Sequence, residues 1–386
     1  MSAVSSARIV FSRPYRSAHE LDYLGEVIAS GHVHGDGPFT RRAGALLSGI
    51  LGHDRVLLTA SGTDALEMCS ILLGVGAGDE VIMPSFTFAS AATAVAILGA
   101  TPVFVGNDLS DGNIDPAQVE AAITPRTRAI SVMNYGGVGV DMPAIRSIAD
   151  EHGLPVIEDN AHGLGATRAG RRLGTLGDLA IQSFHDTKNV HAGEGGALVV
   201  NRPELFERAE IIREKGTDRS KFIRGQVDKY TLVDVGSSFL MSELSAAVLT
   251  SQLEEFDAIQ RARHAVWDTF RAQLADWADE QGVRLMTPPP DAAHPAHVFF
   301  MLMRDQRDQR ALLAHLGEHD VVGTFHYVPL HESPAGRRWG REGADCSTAV
   351  DFSSRLVRLP LWPGLADADI ARVVAAVTSF DGRTAR

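Results

Sequence analysis

The stretch Val156-Ile-Glu-Asp159-Asn-Ala-His162 places two carboxylates and a histidine directly after a short apolar run. This order is typical of a strand that ends at the carboxyl edge of a parallel sheet, where doubly wound folds bind their ligands. Taken alone the motif is weak, because a strand-terminal Asp is often a helix cap or a turn residue. A single His beside it is more often a hydrogen-bonded polar side chain than a functional group.

Similar short apolar runs alternate with helical patterns through the first two thirds of the chain. The alternation predicts right-handed crossovers and an α/β fold with a mostly parallel sheet covered on both faces by helices. Strands are predicted at Val56–Thr59, Val81–Met83, Val103–Val105, Ala129–Met133, Val156–Ile157, Ile181–Phe184 and Gly195–Val200, and helices at Gly62–Leu73, Ala91–Leu98 and Met142–His152.

The last third of the chain has a different predicted order of helices and strands. From Ser242 to about Ala275, helical spacing without Pro or Gly predicts one long connecting helix. After the linker at 288–290, a small α/β unit is predicted. With 386 residues, at about 150 per domain, we expect a large domain at 1–245 and a long helix with a small C-terminal domain at 246–386. The unit's predicted elements are strands at Val298–Met303 and near Val321–Tyr327, and helices near Leu312–His319 and at Ala366–Thr378.

Composition excludes several classes of function. The net charge of −12 argues against a general role on nucleic acid or an anionic membrane. Cys69 and Cys346, without a CxxC motif, favour a reducing, cytoplasmic setting. The first eight residues lack the apolar stretch of a signal peptide, and no apolar run reaches the roughly 20 residues that span a bilayer. No metal site is predicted, because no carboxylate pattern accompanies the histidines His294, His297, His326 and His331.

Two further motifs can hold a cofactor together with Asp159. Gly62 and Thr63 open a predicted helix whose N–H groups suit a phosphate, although Ser61 before them is equally an ordinary N-cap. Lys188 lies in a predicted turn before the glycine-rich 193–196, where the alternative is a surface lysine. The set suits pyridoxal phosphate: Lys188 for a Schiff base, Asp159 near the ring nitrogen, and Gly62, Thr63 and Ser183 at the phosphate.

From about Gly35 to Pro360 the chain resembles the DegT/DnrJ/EryC1/StrS sugar aminotransferases, which are fold type I pyridoxal phosphate enzymes. The resemblance implies Lys188 as the Schiff-base lysine, Asp159 at the pyridine nitrogen with His162 beside it, and Phe88 stacked on the ring. It also implies pyridoxamine phosphate as an intermediate and a homodimer with shared active sites. The motifs that resemble the family are Ser61–Leu66, Pro84–Phe88, Glu158–His162, Ser183–Asn189 and Gly193–Gly196.

A narrower resemblance points to the dTDP-4-dehydro-6-deoxyglucose 4-aminotransferases. It implies that glutamate gives its amino group to C4 of a dTDP-linked 4-keto-6-deoxy sugar, yielding dTDP-4-amino-4,6-dideoxyhexose. The open alternatives are a 3-keto sugar or amino-cyclitol aminotransferase and a non-catalytic regulator that binds pyridoxal phosphate. The segments that resemble these enzymes are Gly35–Arg42, Arg213–Arg219, Arg224–Tyr230 and Phe325–His331.

The chain departs from the family pattern at three positions. Ser238 and Leu240 stand where the family usually has Asn and Arg; Ser238 can still bind the cofactor phosphate of a neighbouring subunit, whereas Leu240 cannot hold a carboxylate. Asn134 stands where many relatives have His.

Other positions are expected to bind substrate. From the resemblance, His326 and Tyr327 line the sugar pocket. The basic segment 215–229 is either a solvated loop or, as we expect, a contact for the substrate diphosphate through Lys215, Arg219 and Arg224.

Overall fold

The β-branched runs of the sequence form one eight-stranded sheet in the computed structural model, which describes residues 7–382. The strand order is β1-β9-β8-β5-β4-β2-β3-β13, in which β9 is antiparallel to β1 and β8 and the other pairs are parallel. The prediction of an α/β fold with a mostly parallel sheet is therefore confirmed. The strands are β1 (Val56–Thr59), β2 (Glu80–Pro84), β3 (Thr101–Val105), β4 (Thr127–Met133), β5 (Val156–Asp159), β6 (Thr167–Arg168), β7 (Arg171–Arg172), β8 (Leu179–Ser183), β9 (Gly196–Val200), β10 (Arg284–Leu285), β11 (Ala292–Ala293), β12 (Phe300–Leu302), β13 (Arg341–Glu342) and β14 (Leu356–Arg358).

Helices cover both faces of the sheet because its strands alternate their apolar side chains between the two faces. In β9, Leu198 and Val200 join one apolar cluster, whereas Ala197 and Val199 join the cluster on the opposite face. The helices are α1 (Glu20–Ser30), α2 (Pro38–Leu51), α3 (Gly62–Leu72), α4 (Ala89–Ala96), α5 (Pro116–Ala122), α6 (Met142–Glu151), α7 (Phe206–Arg213), α8 (Arg219–Ile223), α9 (Glu243–Glu254), α10 (Phe256–Gln273), α11 (Ala275–Gln281), α12 (Gln306–Glu318), α13 (Pro334–Trp339), α14 (Ser347–Arg355) and α15 (Asp367–Thr378).

The single long helix predicted from Ser242 to Ala275 is wrong. It is two helices, α9 and α10, separated at Glu255, whose φ and ψ of −98° and 11° depart from helical values. The Glu255 carboxylate accepts hydrogen bonds from the Tyr15 hydroxyl at 2.6 Å and the Ala18 N–H at 2.7 Å. These contacts hold the break against the N-terminal segment, and helical periodicity gives no sign of them.

The C-terminal unit contains a three-stranded antiparallel sheet in the order β10-β12-β14, packed with α12, α14 and α15 around a shared apolar cluster. The strand predicted near Val321–Tyr327 is wrong: Val321 and Thr324 form isolated bridges, to Ile9 and Arg358. The backbone then leaves the sheet and places His326 and Tyr327 at a cavity.

The domain boundary at residue 245 stays a prediction, and β13 from beyond it extends the large sheet. Within residues 7–382, no helix has the length and apolar character that crossing a membrane requires. Most of the N-terminal stretch used for the signal-peptide prediction lies outside the described residues.

Candidate active site

A cavity of about 720 Å³ lies where β5 and β8 end and the C-terminal unit meets the large sheet. Its size is in the range of small-molecule sites. The cavity brings together residues that the sequence separates by up to 350 positions, from Phe11 to Leu361. The predicted site residues that line it are Gly62, Thr63, Phe88, Asp159, His162, Ser183, Lys188, His326 and Tyr327.

One end of the cavity is formed by the N-terminus of α3. The Ser61 hydroxyl caps this helix by accepting the Asp64 N–H at 3.0 Å, and Gly62 and Thr63 form the first turn. The Thr63 and Ser90 hydroxyls lie 2.7 Å apart. A Cβ on Gly62 would lie 3.1 Å from the Ser183 Cβ, so the missing side chain keeps the helix terminus close to β8. Backbone N–H groups, hydroxyls and the positive helix end make this a cradle for a phosphate.

Lys188 and Asp159 lie further into the same cavity. The Asp159 carboxylate is buried and accepts the Ala161 N–H at 3.0 Å. Burial raises the pKa of Asp159, while this hydrogen bond and the nearby Lys188 charge act in the opposite direction. Burial lowers the pKa of Lys188 to about 8, with the Asp159 charge opposing the shift and the Arg358 charge adding to it. At pH 7 about one tenth of the Lys188 amine is therefore neutral and nucleophilic, far more than for an ordinary lysine.

His162, which lines the same cavity, is held in one orientation. Its Nδ1 accepts the Gly136 N–H at 3.3 Å, and its Nε2 lies 3.4 Å from the Tyr327 hydroxyl. Its ring packs on His297 with 4.2 Å between centroids. Burial and the neighbouring Lys188 charge lower the pKa of His162 well below its usual value, so the ring is neutral. Because Nδ1 accepts a hydrogen bond, we assign the proton to Nε2.

Sequence reasoning missed two further residues of the cavity. The sequence predicts only that His297 binds no metal, yet His297 lines the cavity, with its Nδ1 2.9 Å from the Asn189 Oδ1. Arg358 enters from the end of β14. Neither residue belongs to a motif, because both come from the C-terminal unit and reach the site through tertiary packing alone.

Four predicted residues lie away from this cavity: Ser238, Lys215, Arg219 and Arg224. Ser238 is exposed and forms an isolated bridge with Glu214. Arg219 pairs with the Glu214 carboxylate, and Arg224 binds both Glu210 oxygens at 2.7 and 2.9 Å. Asn134 has a structural role instead of lining the cavity, since its amide donates to Glu158 and Asn160 at 2.9 and 3.0 Å.

Comparison with known proteins agrees with this geometry. A profile of the DegT/DnrJ/EryC1/StrS aminotransferase family matches residues 14–378. The chain belongs to this family. It is 31% identical over 377 residues to the spore coat polysaccharide biosynthesis protein SpsC of Bacillus subtilis (strain 168), covering 95% of each protein.

Two solved structures share the whole fold. The aminotransferase TlmJ of Streptoalloteichus hindustanus has a TM-score of 0.89 at 31% identity, covering 97% of this chain and 98% of TlmJ. DesV of S. venezuelae has a TM-score of 0.85 at 32% identity, with the same coverage. The protein is accordingly a pyridoxal phosphate-dependent sugar aminotransferase.

The residues present fit that cofactor. The α3 cradle would hold its phosphate, the buried Asp159 carboxylate would face its ring nitrogen, and Lys188 would offer the amine for its aldehyde. When bound, the cofactor supplies an aldehyde that binds amines and a ring that withdraws electrons. The chain would then contribute an anion at Asp159, a lysine amine that can accept and return a proton, and a neutral His162 within hydrogen-bond distance of the Tyr327 hydroxyl.

Proposed function

We propose that this protein transfers the amino group of glutamate to C4 of a nucleotide-linked 4-keto-6-deoxy sugar, dTDP-4-dehydro-6-deoxyglucose, to give dTDP-4-amino-4,6-dideoxyhexose. The observation that supports it most strongly is that Lys188, Asp159 and the α3 cradle share one cavity with His326 and Tyr327. The first three serve amino transfer. The last two come from Phe325–His331, a segment that resembles the 4-aminotransferases.

The His326 and Tyr327 side chains are arranged to meet a polar, ring-shaped substrate. The His326 Nδ1 lies 3.1 Å from the Tyr135 hydroxyl, and the Tyr327 hydroxyl reaches His162. Burial lowers the pKa of His326 well below its usual value and raises that of Tyr327 well above its own. Both groups are therefore neutral hydrogen-bonding partners for sugar hydroxyl and keto oxygens. SpsC, to which this chain is similar, is named for polysaccharide biosynthesis, which supports a sugar acceptor.

We further propose a homodimer in which the basic segment 215–229 contacts the diphosphate of a substrate bound to the other subunit. This segment does not line the cavity of its own chain, and it lies beside an exposed apolar surface. Leu232 is 72% exposed, which is unusual for a large apolar side chain unless a partner covers it. The members of this exposed surface are Phe222, Ile223, Tyr230, Leu232, Val233 and Val235. That Ser238 binds the cofactor phosphate of the other subunit stays a prediction, as does a cytoplasmic location.

The deciding experiment incubates the cofactor-loaded protein with glutamate and dTDP-4-dehydro-6-deoxyglucose. We expect 2-oxoglutarate and an amino sugar nucleotide in equal amounts, with the new nitrogen at C4 by NMR. Faster turnover of the 3-keto isomer or of a keto-cyclitol would contradict the C4 assignment. Lys188→Ala serves as the matched control, since a regulator that only binds the cofactor would give no product in either protein.

The basic segment and the dimer have their own tests. Arg219→Ala and Arg224→Ala are expected to raise the Michaelis constant for the sugar nucleotide while leaving cofactor affinity unchanged. Equal Michaelis constants in the wild type and both variants would contradict the diphosphate contact. Light scattering should give twice the chain mass for the wild type, and Leu232→Asp should shift it toward the monomer.

A further inference from the structure

Arg358 is fixed at the cavity by its backbone. It ends β14 opposite Phe300 of β12, so its position is set by the sheet of the C-terminal unit. Its N–H donates to the Thr324 carbonyl at 2.8 Å, and its own carbonyl accepts the Thr324 N–H at 3.1 Å. Because the backbone of Arg358 is hydrogen-bonded on both sides, the position of its Cα is fixed. A binding residue needs such a fixed backbone so that its side chain reaches the ligand reproducibly.

The guanidinium of Arg358 is incompletely paired. One terminal nitrogen donates to the Phe325 carbonyl at 3.1 Å, and the ring of Phe11 lies 4.7 Å from Cζ. The Nε is buried and has no hydrogen-bond partner. Among residues 7–382, no carboxylate lies within ion-pair distance of this side chain. A buried donor on a cation without an anion is costly, so such a group indicates a ligand that completes it.

A second arginine of the cavity, Arg263, differs from Arg358 because its guanidinium is paired within the protein. Arg263 also lines the cavity, and its guanidinium donates to the carbonyls of Ala296 at 3.0 Å and His297 at 2.6 Å. Arg263 therefore has a structural role in joining α10 to the C-terminal unit. Arg358, by contrast, keeps its Nε unpaired in the cavity that also contains Lys188, whose pKa the Arg358 charge lowers.

We propose that Arg358 binds a carboxylate of the amino donor. The planar fork of a guanidinium matches a carboxylate through two parallel hydrogen bonds. Arg358 lines the same cavity as Lys188, the lysine that the donor must reach, and its unpaired Nε leaves a donor for such a carboxylate. This inference rests on the proposed use of an amino-acid donor.

The test isolates the donor step. Cofactor-loaded wild type, Arg358→Gln and Arg358→Lys are each titrated with glutamate in the absence of any keto sugar, and the cofactor absorbance is followed. We expect the half-saturating glutamate concentration to rise by about tenfold or more in Arg358→Gln and by less in Arg358→Lys. Arg310→Gln, at an exposed position of α12, is the matched control and should behave as wild type. An unchanged glutamate dependence in Arg358→Gln would overturn the proposal.

A second readout separates this inference from the proposed function. Calorimetric titration of the loaded protein with glutarate, an unreactive dicarboxylate, should show binding that Arg358→Gln weakens by a similar factor. If glutamate fails to convert the wild-type cofactor but glutarate binding depends on Arg358, the carboxylate site stands and the glutamate assignment fails. If Arg358→Gln changes only the Michaelis constant for the keto sugar, the residue binds the acceptor and the proposal is overturned. Should Arg358→Gln fail to fold, Arg358→Lys decides both titrations.

Discussion

The Nδ2 of Asn134 donates a hydrogen bond to the Oε1 of Glu158 at 2.9 Å, one residue before Asp159 on β5. The same buried carboxylate accepts three backbone N–H groups of the turn Gly174–Gly177 at 2.7 to 3.0 Å. Four donors therefore satisfy Glu158 and fix the end of the strand. Because neighbouring side chains of a strand point to opposite faces, this network holds the backbone from which Asp159 faces the cavity.

Glu158→Gln should destabilise the protein. One carboxylate oxygen becomes an NH2 group that faces N–H donors, so at least one buried donor loses its acceptor at a cost of about 2–4 kcal/mol. The urea midpoint of unfolding should fall accordingly. Glu151→Gln, at the exposed end of α6, provides the control and should unfold like the wild type. Equal midpoints for Glu158→Gln and wild type would contradict the structural role.

Asp159→Asn removes the negative charge of this side chain while keeping its size, so it tests what the charge contributes to amino transfer. The amide oxygen can still accept the Ala161 N–H, so folding is expected to be retained, and the burial cost of a charge disappears. Loss of the anion that holds the cofactor ring protonated should lower the amino-transfer rate by roughly two to three orders of magnitude. Single-turnover absorbance measurements with glutamate check this. A variant that reacts at the wild-type rate would remove Asp159 from the mechanism.

Local patterns predicted the strands at the centre and one edge of the large sheet and singled out Asp159 and Lys188, since apolar strand runs and glycine-rich turns depend on neighbouring residues. The strand β1 matches its prediction residue by residue, from Val56 to Thr59. His297 and Arg358 could not be found in this way. They reach the cavity through the packing of a distant unit, and the break at Glu255 depends on contacts with Tyr15 and Ala18, about 240 residues away.

Gly196→Ala should damage the phosphate cradle. A Cβ at this position would lie 2.4 Å from the carbonyl carbon of Ser61 and 2.5 Å from the nitrogen of Gly62, so the backbone at the start of α3 must move. We expect cofactor affinity to fall by about tenfold or more, since a small displacement of N–H donors weakens phosphate binding. Fluorescence titration with pyridoxal phosphate measures the change. Gly44→Ala, whose Cβ meets nothing within 4 Å, should bind the cofactor normally; comparable loss in both variants would refute the argument.

Lys188→Met should stabilise the cofactor-free protein at pH 7. Burial lowers the pKa of Lys188 to about 8 in the folded state, against 10.5 for an ordinary lysine, so below pH 8 the folded protein must hold an ammonium that it disfavours. Removing this group should add about 1–3 kcal/mol to the free energy of unfolding, which urea titration at pH 7 measures. Between pH 8 and 10.5 the unfolded state binds more protons, so wild-type stability rises with pH and the advantage of the variant disappears above that window.

Lys229→Met, at an exposed position, should show no such pH dependence. If the difference in unfolding free energy between Lys188→Met and wild type stays constant from pH 7 to pH 10.5, the buried Lys188 ammonium does not destabilise the folded protein.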